Sequence, residues 1–134
     1  MEPIIVVSAT AARRRRIIRI ATRLNWRTYT KKNGLSLFFF HLALNILKDD
    51  GILNFITTSY FTTSSGGKNL RNDIKSRGSF LELINFKELK IFKSAQGQHN
   101  LISTVIKSNE NYSCKTTQTS KKGYALKEQL ESIL

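Results

Sequence analysis

The sequence predicts an α/β unit with one parallel strand, an antiparallel strand pair and flanking helices. Three observations carry that expectation. Residues 33–48, NGLSLFFFHLALNILK, are apolar almost all round, as a helix buried on most sides must be. Residues 52–56, ILNFI, form a short and nearly continuous apolar run, the pattern of an interior parallel strand covered on both faces. Two further strand-like runs, SFLELINF at 79–86 and NLISTVIK at 100–107, are joined by a connection with no convincing helix, which makes them antiparallel neighbours.

The elements can be justified in chain order. In the first helix the polar residues His41, Asn45 and Lys48 fall at i, i+4 and i+7 and form a single stripe. Asn33 or Ser36 can cap its start, and Asp49-Asp50-Gly51 ends it. On that stripe His41 reads as a surface or hydrogen-bonded histidine rather than a ligand. The 52–56 strand runs into a loop of small hydroxyl residues, Thr57 to Gly67. KNLRNDIKS then sets Leu70 and Ile74 four apart under a basic outer face, which predicts a short helix. Beyond Ser108 the chain turns polar and lysine-rich. Leu126, Leu130 and Ile133 mark a final short helix with little to pack against.

Charge narrows the class of partner. A formal net charge of +13 and a pI near 10.3 point to nucleic acid or an acidic membrane surface, or else to a solvated basic face on an unrelated protein. The charge is unevenly made. Residues 1–27 hold seven arginines and no lysine, whereas residues 28–134 hold Arg71, Arg77 and all thirteen lysines. This break divides the chain into an Arg-rich segment (1–27), a central portion (28–107) and a polar tail (108–134). The first is either a basic amphipathic helix for nucleic acid or lipid, or an appended or out-of-frame segment with no evolved role. The single cysteine, Cys114, excludes a disulfide framework and fits a reducing compartment. No apolar run reaches the ~18 residues of a spanning helix. The arginines follow the apolar Ile4–Val7 run, the wrong order for a secretory signal, so a cytoplasmic location is expected.

Several chemistries fail on spacing. Ser64-Ser65-Gly66-Gly67-Lys68-Asn69 looks like a phosphate loop, but Thr62 stands where the motif needs its first glycine and Asn69 where it needs Ser or Thr. Two histidines and one cysteine without ligand spacing give no metal site. There is no G-x-S-x-G elbow, and His99 has no evident serine and carboxylate partners.

What does match is a series of elements in order. A buried helix, the Lys48-Asp-Asp-Gly-Ile-Leu53 turn, the Thr57-Thr-Ser-Tyr-Phe61 strand exit and the Gly67-Lys-Asn-Leu-Arg71 helix start come first. Glu82-Leu-Ile-Asn-Phe86, Lys90-Ile-Phe92 and Gly97-Gln-His-Asn-Leu-Ile102 follow. Over residues 28–107 this series resembles the TaqI-like adenine-specific DNA methyltransferases of bacterial restriction–modification systems. The resemblance implies the C-terminal part of a Rossmann-like methyltransferase sheet, DNA as partner and S-adenosylmethionine as methyl donor. It further implies an adenine flipped out of the duplex and methylated on N6. In that family an Asn-Pro-Pro-Tyr/Phe motif holds the amine, and a glycine-rich loop holds the cofactor. Here no glycine precedes Gly34, and Glu2-Pro3-Ile4-Ile5 lacks the Asn, the second Pro and the aromatic residue. The chain alone is therefore expected to be inactive, as a fragment or as half of a split enzyme completed by a separate chain. The competing class is a basic, non-enzymatic protein that binds nucleic acid or a membrane surface.

The resemblance also implies residue roles. Phe92 falls where the family stacks an aromatic residue on the flipped base, or else is core at a strand end. Thr57, Thr58, Ser59 and Tyr60 lie past a strand's carboxyl end, where open α/β sheets place ligands, and form the pocket wall. Gln98, His99 and Asn100 belong to the loop beside it. Lys68, Arg71, Lys75 and Arg77 either meet DNA phosphates or form a solvated helix face. A sheet without its central strands would leave Phe38–Phe40 and Ile52–Ile56 uncovered, which predicts poor packing.

Overall fold

A computed structural model of the chain describes residues 35–93 and 99–134. The Arg-rich segment, the Glu2–Ile5 stretch, the Asn33 cap and Gln98 lie outside the described residues. The order is α1 (Leu35–Ile46), β1 (Ile52–Thr58), two 3₁₀ turns (Ser59–Thr62 and Ser65–Gly67) and α2 (Lys68–Arg77). Then come β2 (Ser79–Asn85), β3 (Leu89–Lys90), β4 (Asn100–Ile106), β5 (Lys115–Gln118), β6 (Gly123–Tyr124) and α3 (Lys127–Ile133).

Four strands make one sheet in the order β1-β4-β2-β5. β4 runs antiparallel to both its neighbours, with Ile102 opposite Ile56 on one side and Ile84 on the other. β1 and β2 are therefore parallel to each other, with β4 inserted between them. This is the expected mixed α/β sheet, including the antiparallel pairing of the 79–86 and 100–107 runs. Two additions were hidden in the polar tail: β5 pairs parallel with the outer edge of β2, and β6 pairs with β3 in a small second sheet.

The core explains why the sheet is well covered on one face. Phe40, Ala43 and Leu44 of α1 and Leu70 and Ile74 of α2 close over Leu53 and Phe55 of β1 and Leu101 and Val105 of β4. Phe40 stacks on Phe55 with centroids 5.2 Å apart and also meets Phe61 at 5.6 Å. Phe38 and Phe40 are 4% and 0% exposed, so the expectation that this helix lacks cover is corrected. The expectation of a strand covered equally on both faces is corrected as well. Leu53 and Phe55 are buried, whereas Ile52, Asn54 and Ile56 are only half-buried, because both helices lie on one side and the neighbouring β4 is antiparallel.

The polar stripe on α1 faces α2. His41 Nδ1 lies 2.6 Å from an Asp73 carboxylate oxygen, and Arg77 donates to that same oxygen and to Asn45 Oδ1. A charged clamp thus joins the two helices on the outer side of the core. The last helix is also better housed than its polar surroundings predict. Leu130 and Ile133 of α3 pack against Ile84, Phe86 and Leu89, and Gln129 Oε1 accepts from the Leu126 amide at 3.1 Å to cap the helix start. The tail from Lys115 onward is part of the folded unit.

Candidate functional site

β1 and β2 end side by side, and the chain enters β4 between them. A cleft of about 540 Å³ opens at that point. Thr58 comes from the end of β1, Asn85 from the end of β2, Lys87 from the turn after it, and His99 from the residue before β4. Ser59, Tyr60, Thr62 and Thr63 complete the wall. The location follows from topology, since β1 and β2 run parallel on either side of β4 and their carboxyl ends open on the same edge of the sheet, where ligands of open α/β sheets sit.

The hydroxyl-rich loop is built rather than loose. Phe61 is buried in the core and anchors the 3₁₀ turn, which leaves the adjacent Tyr60 75% exposed. Thr62 Oγ1 donates to the Ser59 carbonyl at 2.7 Å, and the Ser64 amide donates to the Tyr60 carbonyl at 3.0 Å. Arg71 reaches back from α2 and donates to the carbonyls of Phe61 and Ser64 at 2.6 and 2.9 Å. Gly67 must be glycine: a Cβ there would stand 2.2 Å from the Phe61 carbonyl oxygen.

His99 ties the three contributing elements together. Its carbonyl accepts from the Ser59 amide at 2.7 Å, and its ring Nδ1 lies 2.7 Å from the Lys87 carbonyl. A carbonyl only accepts, so Nδ1 carries the hydrogen, and in the neutral ring Nε2 is an acceptor. Lys87 holds a left-handed backbone (φ 51°), fixed by its amide donating to Asn85 Oδ1 at 2.9 Å. Beside it, the hydrogen bond from Lys122 and then that residue's charge hold the Glu88 carboxyl below its ordinary range, with His99 adding to the effect.

The structure sorts the residues expected from sequence. Thr58, Ser59, Tyr60 and His99 share the cleft wall. Thr57 is half-buried opposite Leu101, and Asn100 is 4% exposed opposite Thr58, so neither lines the cleft. Phe92, 43% exposed beyond β3, also stands outside its lining. Lys68 and Lys75 are exposed on α2, whereas the guanidinium groups of Arg71 and Arg77 are engaged within the molecule. Thr62 and Thr63 extend the same hydroxyl loop that drew attention in the sequence. Asn85 and Lys87 join the site only because β4 inserts between β1 and β2, and no local pattern announces that.

Among the described residues no group of His, Cys, Asp or Glu could hold a metal ion, and no helix is long and apolar enough to cross a membrane.

Known proteins share this architecture. A Listeria monocytogenes protein described as a class I S-adenosylmethionine-dependent methyltransferase superposes with a TM-score of 0.63 at 14% identity, over 88% of this chain and 36% of its own. The Type ISP restriction-modification enzyme LlaGI, solved as a nuclease-deletion mutant with a DNA substrate mimic, gives 0.62 at 17% identity, over 88% of this chain and 13% of its own. DrdV, solved in complex with DNA, gives 0.63 at 16% identity, over 97% of this chain and 16% of its own. At these identities the likeness shows the fold, and this chain spans well under half of each. No curated protein matches the sequence. The profile of the Eco57I restriction-modification methylase family matches residues 14–92, more than half of the chain and starting inside the Arg-rich segment. The chain belongs to the restriction-modification methylase family.

Proposed function

We propose that this chain supplies one wall of the catalytic domain of a DNA methyltransferase that acts on adenine N6 with S-adenosylmethionine. The observation that carries the reading is the cleft at the carboxyl ends of β1 and β2, on either side of the start of β4, in a chain of the methylase family. An adenine taken out of the stack needs a recess, an aromatic face and polar groups at its edge. The cleft offers Tyr60, the hydroxyls of Ser59, Thr62 and Thr63, the Asn85 amide and the His99 ring. Lys68 and Lys75 are free to meet phosphates from α2, while Arg71 braces the cleft loop from behind and Arg77 is spent in the clamp between α1 and α2. Phe92 and Tyr60 are the two candidates for stacking. In a chimaera with a complete relative, 2-aminopurine at the target position separates them: the stacking residue is the one whose alanine variant weakens capture, by about 1–3 kcal/mol.

The residues present do not fit the cofactor. No glycine precedes Gly34, and Gly67 is already packed against the Phe61 carbonyl, where even a Cβ would clash. In this reading the cofactor loop and the Asn-Pro-Pro-aromatic set come from another stretch of polypeptide, in the same protein or in a separate partner chain. The Arg-rich segment adds unselective attraction for DNA in the cytoplasm. The test incubates purified chain, DNA and radiolabelled S-adenosylmethionine, with and without lysate of the source cell, and digests the DNA to nucleosides. Label on N6-methyladenine only with lysate, and lost when the chain is omitted, is the expected result. Label from the purified chain alone would overturn the claim that the chemistry lies elsewhere, and label on cytosine would overturn the adenine assignment.

A further inference from the structure

The cleft does not end at its own rim. Lys87 and His99 line it, and the same two residues line a second hollow of about 470 Å³ whose far wall is the Gln118–Lys122 connection between β5 and β6. The two hollows adjoin across Lys87 and His99, and the groove they outline has ends that differ in chemistry. One end carries an exposed aromatic ring, Tyr60, among hydroxyls. The other carries Lys121 and Lys122, with Lys87 standing between the two ends. Glu88 is the acid among them, and it is already paired with Lys122 at 3.0 Å. The groove floor is fixed from both sides of the sheet end. The Thr119 amide donates to the Asn85 carbonyl at 3.2 Å, the Lys121 amide to Thr119 Oγ1 at 3.1 Å, and Lys87 is held by Asn85 and His99.

An aromatic face followed by spaced cations is the arrangement that holds an unstacked nucleotide by its base and its flanking phosphates. We propose that this groove seats one strand of the nucleic acid, with a base against Tyr60 and the adjoining phosphates at Lys87, Lys121 and Lys122. The proposal rests on the DNA-methyltransferase reading and extends it to the path of the strand. An acidic peptide would be served by the lysines but gives Tyr60 and its ring of hydroxyls nothing to do.

The test measures binding of the full chain to a fluorescent single-stranded oligodeoxyadenylate, and to an abasic strand of equal length, over a series of salt concentrations. The variants are Lys121→Ala/Lys122→Ala, its charge-keeping counterpart Lys121→Arg/Lys122→Arg, Tyr60→Ala, and Lys48→Ala/Lys127→Ala as an equal charge loss outside the groove. Loss of two phosphate contacts should flatten the slope of log affinity against log salt by about 1.4 for both strands. The arginine pair should restore the slope, and the control pair should leave it unchanged. Tyr60→Ala should weaken the base-bearing strand roughly five- to hundredfold, spare the abasic strand and leave the slope alone. Slopes that fall equally in the groove and control variants overturn the groove while leaving the DNA reading intact. Equal loss on both strands from Tyr60→Ala overturns the base platform, and polyglutamate competing as well as DNA overturns the nucleotide assignment. Failure of the parent chain to bind either strand would sink both the proposal and the reading beneath it.

Discussion

Arg71 looks, from sequence, like a cation offered to DNA, and its geometry predicts a different loss when it is removed. Its guanidinium donates to two backbone carbonyls, at 2.6 Å to Phe61 and 2.9 Å to Ser64, and so ties the turn that presents Tyr60 and Thr62 to the residues that follow it. A hydrogen bond from a charged donor contributes about 1.5–3 kcal/mol. The two bonds share one nitrogen, and the residue is only half-buried, so freed carbonyls regain some water and the sum is not additive. Arg71→Ala should therefore cost about 2–4 kcal/mol. Arg71→Lys should recover less than half of that, because the shorter lysine stem does not carry its ammonium to the position from which the one guanidinium nitrogen reaches both carbonyls. Urea unfolding followed by circular dichroism gives the stability at constant m-value, and limited proteolysis between Tyr60 and Ser64 reports the loosened turn. A loss below about 0.5 kcal/mol, accompanied by a salt slope for DNA reduced by about 0.9, would refute this account. The guanidinium would then belong to a phosphate and not to the loop.

Ser103 is fully buried opposite Phe55 and Leu83, and its hydroxyl has no partner among the described residues, so Ser103→Ala should leave stability unchanged or raise it by about 1 kcal/mol in the same urea titration. Leu130→Ala/Ile133→Ala should cost about 2–4 kcal/mol and expose the Ile84–Phe86 cluster to ANS, since these side chains hold α3 against β2. Glu88 has its folded pKa lowered by Lys122, so the pair's contribution is present above the unfolded carboxylate value and is lost as pH falls through the folded one. An NMR titration of the Glu88 carboxyl carbon should therefore show its midpoint return toward the ordinary range in Lys122→Gln, with no change above neutral pH.

Much of the fold is legible in the sequence because burial writes a strong pattern. The near-uniform apolarity of residues 35–44 and the Leu70/Ile74 spacing are dictated by the core they enclose. β5 left no such mark. Lys115-Thr-Thr-Gln118 is largely exposed and meets the sheet through backbone pairing, so the only signal is two adjacent β-branched residues. The cleft was half legible for a related reason. Thr58, Ser59 and Tyr60 follow directly from the end of β1, but Asn85 and Lys87 enter through strand order, which sequence periodicity does not encode. The basic face of α2 shows how identity misleads about role. Arg71 and Arg77 carry the same charge as Lys68 and Lys75, yet their longer side chains find carbonyls and a carboxylate inside the molecule.

The placement of β5 also bears on how this protein behaves when crowded. An exposed strand edge is a template that a second copy can extend, and β2, with Phe80, Leu83 and Ile84, would be an adhesive one. β5 occupies that edge with four residues too short and too polar to recruit another strand, and Lys115 pairs across to Glu82 at 3.2 Å. The cheapest-looking strand of the molecule thus acts as a stopper, and cutting the chain before Lys115 should make it self-associate through β2.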